Sequence, residues 1–237
     1  MVNAGETTEA VENRYVAASD AERSLALSYA GDARARAGLA AMLALDATFG
    51  NVMRSARDPM LAQMRLTWWH DALTKLDTAP PPAAPILQAL AADVLPLGVK
   101  GAELAGLIEG WEALAEGEPG DRAVRLAYAR QRGGHLFALA ARLLGDARFD
   151  TAGAGQGWAL ADLARNLADP AAAAAARTEA ETALAPALAR RWPGSLRSLG
   201  ALAHIAAMDL RTPADQPLPA ATPGRVARLA WHRMTGR

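Results

Sequence analysis

No cysteine occurs in the 237 residues, which removes disulfides, thiolate zinc sites, iron–sulfur clusters and thiol nucleophiles together. Such a chain suits a reducing cytoplasm, and that is the expected location. An excess of charge of one sign is lacking too. Lys+Arg and Asp+Glu stand at 25 each, so no overall field draws in nucleic acid or an anionic membrane. Nucleic acid is therefore not an expected partner, and any basic surface must be local. Long apolar runs are missing as well: no stretch reaches the ~18 uninterrupted apolar residues of a membrane-spanning helix. The first twenty residues hold four acidic side chains and no apolar run, unlike either a signal peptide or an acid-poor transit peptide. Residues 1–19 are expected to form a flexible tail ahead of one helical domain over 20–237, a length within reach of a single domain.

What the sequence has in quantity is alanine and leucine, with few β-branched residues and with apolar positions recurring at intervals of three and four. That is the helical period, so the fold is expected to be all-α. The pattern predicts helices near 20–30, 33–55, 59–77, 85–95, 100–117, 120–145, 153–168, 170–191, 194–210 and 223–235. Pro80, Pro81, Pro82 and Pro85 break one connection. Pro213, Pro217, Pro219 and Pro223 break another, because proline lacks the donor a helix interior needs. This second break, over 212–223, sets the last helix apart. The alanines 171–176 follow Pro170 and open a helix.

The most distinctive segment runs from Arg57 to Leu73, Arg-Asp-Pro-Met-Leu-Ala-Gln-Met-Arg-Leu-Thr-Trp-Trp-His-Asp-Ala-Leu. Asp58 suits an N-cap and Pro59 the first helical position. Met60, Met64, Trp68 and Ala72 fall at spacing four beside Leu61, Thr67 and Trp69, which predicts a helix buried on most sides with its tryptophans in the core. Downstream stand Leu107-Ile108-Glu109-Gly110-Trp111-Glu112, Tyr128 through Gly134, Ala140 through Gly145, and Gly155-Gln156-Gly157-Trp158-Ala159-Leu160 running on to Arg165. The pair Gly133 and Gly134 would let helices approach closely or bend.

In order and spacing these segments resemble the squalene/phytoene synthase family, especially a branch similar to a mitochondrial assembly factor for respiratory complex I. The resemblance covers most of residues 20–170. It implies an isoprenoid-synthase-like helical bundle whose central cavity is lined by the helices around 39–54, 128–145 and 155–169. In that family two acidic clusters on facing helices bind magnesium, which neutralises a substrate diphosphate as it leaves.

Here both clusters are eroded. The first aligns with Gly50-Asn51-Val52-Met53-Arg54: glycine offers no ligand, asparagine a neutral one, and Arg54 a positive charge. Replacing three carboxylates by one cation moves the local charge by about four units. In the second, with Arg165 in register, the acid positions hold Asn166, Asp169 and Pro170. Asp46, four before Gly50, and Asp162, a turn before Asn166, are the residues that would rebuild a site. Both are equally well read as packing residues paired with Arg142 or Arg165. For a metal, Asp162 and Asp169 are the two weak candidates, and no metal or other cofactor is expected unless catalysis survives, in which case it is magnesium. The resemblance further marks Tyr128, Arg132 and Gly134 as lining the cavity, and the tyrosine-leucine-proline segment that closes the family's active site is missing after the second motif.

Other patterns are explained without chemistry. Gly153-Ala154-Gly155-Gln156-Gly157 lacks the lysine of a phosphate loop and follows no strand. His70, His135, His204 and His232 offer no ligand pair at helical spacing, and no serine sits in a nucleophile elbow. The last helix places Arg225 and Arg228 beside Val226, Leu229, Ala230, Trp231 and Met234, a pattern that suits folding back on its own domain, docking on a partner, or lying on a membrane surface. Three readings follow. The favoured one is a relative that has lost magnesium-dependent catalysis and serves as an isoprenoid- or lipid-binding or assembly protein, with a protein partner in respiratory-complex assembly. The alternative is an active prenyltransferase joining two prenyl diphosphates, and the third is a helical scaffold without ligand.

Overall fold

A computed structural model describes residues 20–237 apart from Arg57 and Ala220; the expected tail 1–19 lies outside the described residues. Those residues are helical throughout, with no strand among them. Helix α1 covers 20–27, followed by α2 (Ala33–Ser55), α3 (Pro59–Lys75), α4 (Pro85–Asp93), α5 (Gly101–Ala105) and α6 (Ile108–Glu116). Then come α7 (Arg122–Tyr128), a π-helical segment (Ala129–Gly134) and α8 (His135–Leu143), which continue one another. The remainder is α9 (Ala152–Asn166), α10 (Pro170–Ala189), α11 (Arg197–Asp209) and α12 (Pro223–Thr235).

The starts are written in short polar side chains. Asp32 accepts from the Ala35 amide, Asp58 from Met60, Asp121 from Ala123, and Asp169 from both Ala171 and Ala172, each satisfying amides that the first helical turn leaves without partners. Pro59, Pro85, Pro170 and Pro223 stand at helix starts, where a missing N–H costs nothing. The predicted helix 100–117 is divided at 106–107 into α5 and α6. Within the predicted helix 120–145 the π segment inserts one wide turn.

The core lies between α2, α8, α9 and α11, filled by side chains such as Leu39, Met42, Phe49, Phe137, Leu160 and Leu199, all essentially inaccessible. Two glycines allow α9 to lie against the π segment. A Cβ on Gly133 would fall inside contact distance of the Gly155 carbonyl, and one on Gly155 would do the same to Gly133.

Two expectations are corrected here. Helix α3 is not buried on most sides. Ala62, Leu66 and Leu73 point inward and Trp69 lies edge-on to Phe49, whereas Met60 and Met64 are 67% exposed and Trp68 is 51% exposed. A spacing of four drifts by about 40° per step on a 3.6-residue helix, so the row from Met60 reaches the core only at Ala72, which is buried. The last helix is not set apart either. It folds back on α11, with Leu229 and His232 fully buried and Arg225 nearly so. Of the residues expected on a surface-binding face, Val226, Trp231 and Met234 are exposed, but Arg225 and Leu229 are not.

Candidate functional site

Between α2, the π segment, α9 and α11 the bundle encloses a cavity of about 410 Å³. Its centre is Arg132. The π turn carries this side chain inward, and Gly110 of α6 makes room, since a Cβ there would collide with the Arg132 backbone. The guanidinium is almost completely buried. Its Nε donates to Asp46 Oδ1 and its Nη2 to Asp46 Oδ2, both at 2.7 Å, while Nη1 donates to Asp162 Oδ2 at 2.6 Å and to the Tyr128 hydroxyl. Three aromatic rings surround it, with centroids 4.3 Å (Trp111), 4.8 Å (Trp158) and 5.2 Å (Tyr128) away, a geometry in which ring quadrupoles attract a cation.

Burial works against the Arg132 charge, but Asp46, Tyr128 and Asp162 outweigh it, and the guanidinium pKa lies well above its ordinary value. Burial raises the Tyr128 phenol, with Arg132 opposing, so the hydroxyl stays neutral. Asp46 is sealed at 7% side-chain exposure, whereas Asp162 keeps 41% and faces the cavity.

The opposite wall holds a second arginine between two carboxylates. Arg225 of α12 donates to Glu22 of α1 through Nε (2.8 Å) and Nη2 (2.6 Å), and Nη2 also reaches Asp209 of α11 at 2.6 Å. Glu22 accepts the Ala221 amide as well, at 2.7 Å. Burial raises the Asp209 pKa against the pull of Arg225.

Of the eroded motif positions, Gly50, Arg54 and Asn166 line the cavity. Arg54 donates to Asn51 Oδ1 at 2.7 Å, so the arginine and the asparagine of the first motif satisfy each other. Asn166 donates to the Asp162 backbone and side chain. Asp169 is spent on the α10 amides, and Pro170 begins that helix. Arg165 lines the cavity and donates to the Gln216 carbonyl at 2.8 Å. Gly134 sits in the π segment, with Gln156 nearest to its missing side chain. Arg142 is not part of the site. It pairs with Glu103, holding that carboxyl at about pKa 2 chiefly through their hydrogen bond. The partner of Asp46 and Asp162 is thus Arg132, in place of the expected Arg142 or Arg165.

Sequence reasoning missed Trp111 and Trp158 as site residues, although both stand in segments it singled out, Trp158 one turn before Asp162. It also missed Glu22, Asp209 and Arg225, for which no local signal exists. Two donors in the cavity lining, Trp111 Nε1 and Arg165 Nη1, are buried without an acceptor among the described residues.

A magnesium cluster needs several oxygens converging on one point. The carboxylates here are committed to Arg132, to Arg225 or to helix amides, and among the described residues no three His, Asp or Glu side chains come together as a metal site. As arranged, this donor set does not fit the metal.

An all-helical bundle that encloses a cavity between facing helices, with several motif positions in its lining, is the architecture of the isoprenoid-synthase-like class. The family model for squalene/phytoene synthase matches residues 16–178, more than half of the chain, and the chain belongs to that family. No curated protein and no solved structure matches it. Asp209 and Arg225 lie outside the matched stretch. No helix among the described residues is long and apolar enough to cross a membrane.

Proposed function

We propose that this chain is a member of the squalene/phytoene synthase family that has given up magnesium-dependent condensation and uses its cavity to hold an isoprenoid or other lipid-like ligand. The observation that carries the reading is the fate of the two motif positions. Where the family is expected to present carboxylates to magnesium, this chain presents Gly50, an Asn51–Arg54 hydrogen-bonded pair, Asn166, and an Asp169 consumed as a helix cap.

The cavity itself supports a ligand. Its walls combine aliphatic side chains such as Leu43, Leu202 and Ile205 with the aromatic rings of Trp111 and Trp158. Trp111 Nε1 and Arg165 Nη1 are buried donors awaiting an acceptor, and a buried donor left unpaired costs about 1–3 kcal/mol. A ligand with an apolar body and an oxygen-bearing head would satisfy both surfaces at once.

The test has two arms. Mass spectrometry of lipid copurifying with the native protein is expected to find a stoichiometric isoprenoid or lipid. Farnesyl or geranylgeranyl diphosphate with magnesium is expected to give no condensed product above background. Magnesium-dependent turnover would overturn the reading in favour of an active prenyltransferase.

A further inference from the structure

Among the described residues, Arg132 is the one cation that touches both Asp46 of α2 and Asp162 of α9. Three oxygens, Asp46 Oδ1, Asp46 Oδ2 and Asp162 Oδ2, converge on its guanidinium at 2.6–2.7 Å. Those carboxylates come from positions 86 and 30 residues away, one on α2 and one on α9. Without the guanidinium, the sealed Asp46 carboxylate and the half-exposed Asp162 carboxylate would be left with no cation between them, which is costly above all for the buried one.

We propose that Arg132 is the built-in cation of this cavity: it occupies the place that a divalent ion would otherwise take between Asp46 and Asp162, and its removal opens a metal site there. Several features support the assignment. An arginine is charged at every accessible pH, so the place is filled under all conditions. The planar group is clamped between rings of Trp111, Trp158 and Tyr128, so an incoming ion cannot displace it without expelling a cation from an aromatic cage. The oxygens it leaves behind, one sealed bidentate carboxylate and one carboxylate open to the cavity, are what a small hard ion requires, because such ions are held by one or two carboxylates and keep several waters. The side of Asp162 that faces the cavity supplies the space for those waters.

The inference concerns this chain's own residues and shares with the functional reading only the statement that the wild-type site takes no magnesium. A missing lipid would sink that reading without touching the test below; magnesium-dependent turnover would sink it too, and whether wild type then holds Mn²⁺ through Asp46 decides separately on the inference.

The experiment uses the full chain and manganese as a paramagnetic probe. Wild type is expected to leave the electron paramagnetic resonance spectrum of millimolar Mn²⁺ unchanged. Arg132→Ala is expected to bind one Mn²⁺, with an affinity lost by about tenfold or more in Arg132→Ala/Asp46→Asn. In parallel, the melting temperature lost in Arg132→Ala is expected to rise again with Mn²⁺, Mg²⁺ or millimolar methylguanidinium, whereas Arg132→Lys, which keeps a cation, is expected to fold without any of them and to bind no Mn²⁺. If Arg132→Ala does not fold alone, refolding that succeeds with Mn²⁺ supports the proposal equally, whereas rescue by methylguanidinium and not by Mn²⁺ overturns it. Mn²⁺ bound by wild type and released by Asp46→Asn would overturn it. So would an Arg132→Ala protein that neither binds Mn²⁺ nor is stabilised by it, folded or not.

Discussion

Two of the buried arginines, Arg132 and Arg225, repeat one arrangement with different consequences. Each is bidentate to one carboxylate and donates an Nη to a second, at 2.6–2.8 Å. Arg132 ties α2 to the π segment and α9, which pack closely on each other, and lies among aromatic rings. Arg225 joins α1 to α12 across 203 residues, and Glu22 takes the Ala221 amide besides. The first shapes the chemistry of a cavity; the second closes the chain around it. A buried ion pair thus says little about purpose until the elements that carry it are known, since its net worth against an apolar replacement is small while breaking it costs much.

The comparison is broken most severely by removing the C-terminal helix. Deletion of 224–237 takes away Arg225, Leu229 and His232 and strands Glu22 and Asp209, so a loss of several kcal/mol is expected, on the order of 10 °C or more in Tm by calorimetry. A truncated protein that melts with the full chain would show that α12 is an independent appendage. Next in size are substitutions within the triads. Asp46→Ala is expected to cost about 3–5 kcal/mol in urea unfolding, because it leaves Arg132 with its principal partner gone. Asp162→Ala should cost about 1 kcal/mol, since that carboxylate is already partly in water. Equal losses would mean that Asp162 is held as rigidly as Asp46.

A smaller effect concerns pH. His204 of α11 and His232 of α12 lie with ring centroids 4.6 Å apart. Burial first, then Arg228 and the neighbouring imidazole, lowers His204 from 6.5 to about 3, and burial lowers His232 to about 4. Both are neutral in the folded chain and take up protons more readily when unfolded. The stability they support is complete above about pH 6.5 and is lost as the pH falls toward the folded values. Melting temperature measured from pH 7.5 down to 4.5 should fall, and His204→Gln should flatten that slope; an unchanged slope would place the acid sensitivity elsewhere. The smallest effect is at the surface: Trp68→Ser is expected to alter stability by no more than about 0.5 kcal/mol, against several for a core tryptophan. A large loss would restore the reading of Trp68 as core.

That last contrast shows where the sequence was readable and where it was not. The helices were legible because their starts are written locally, as at Asp58-Pro59 and Asp169-Pro170, and their bodies in the apolar period. The cavity-lining segments were legible through the family's motifs, and Tyr128, Arg132, Asp46 and Asp162 do meet. What stayed hidden depends on register or on distance. The direction of Met60, Met64 and Trp68 was ambiguous because α3 carries apolar residues on more than one face. The partner of Asp46 was misassigned because the π turn, which no residue pattern announces, is what carries Arg132 to it. Arg225 looked like a surface charge because its partner stands at the other end of the chain.

The contact between Gly133 and Gly155 has one further implication. The distance between the π segment and α9 is set at this spot by two hydrogen atoms standing where side chains would otherwise be. Arg132 and Asp162 lie on those same two elements, one residue before Gly133 and seven after Gly155. A methyl group at either glycine would act as a spacer behind the wall, lifting α9 away and lengthening the reach from Nη1 to Asp162 before anything facing the cavity had changed. The grip of the inner cation on its outer carboxylate is thus adjustable from a place no ligand touches, and drift at these glycines would retune the site while leaving every residue that lines it intact.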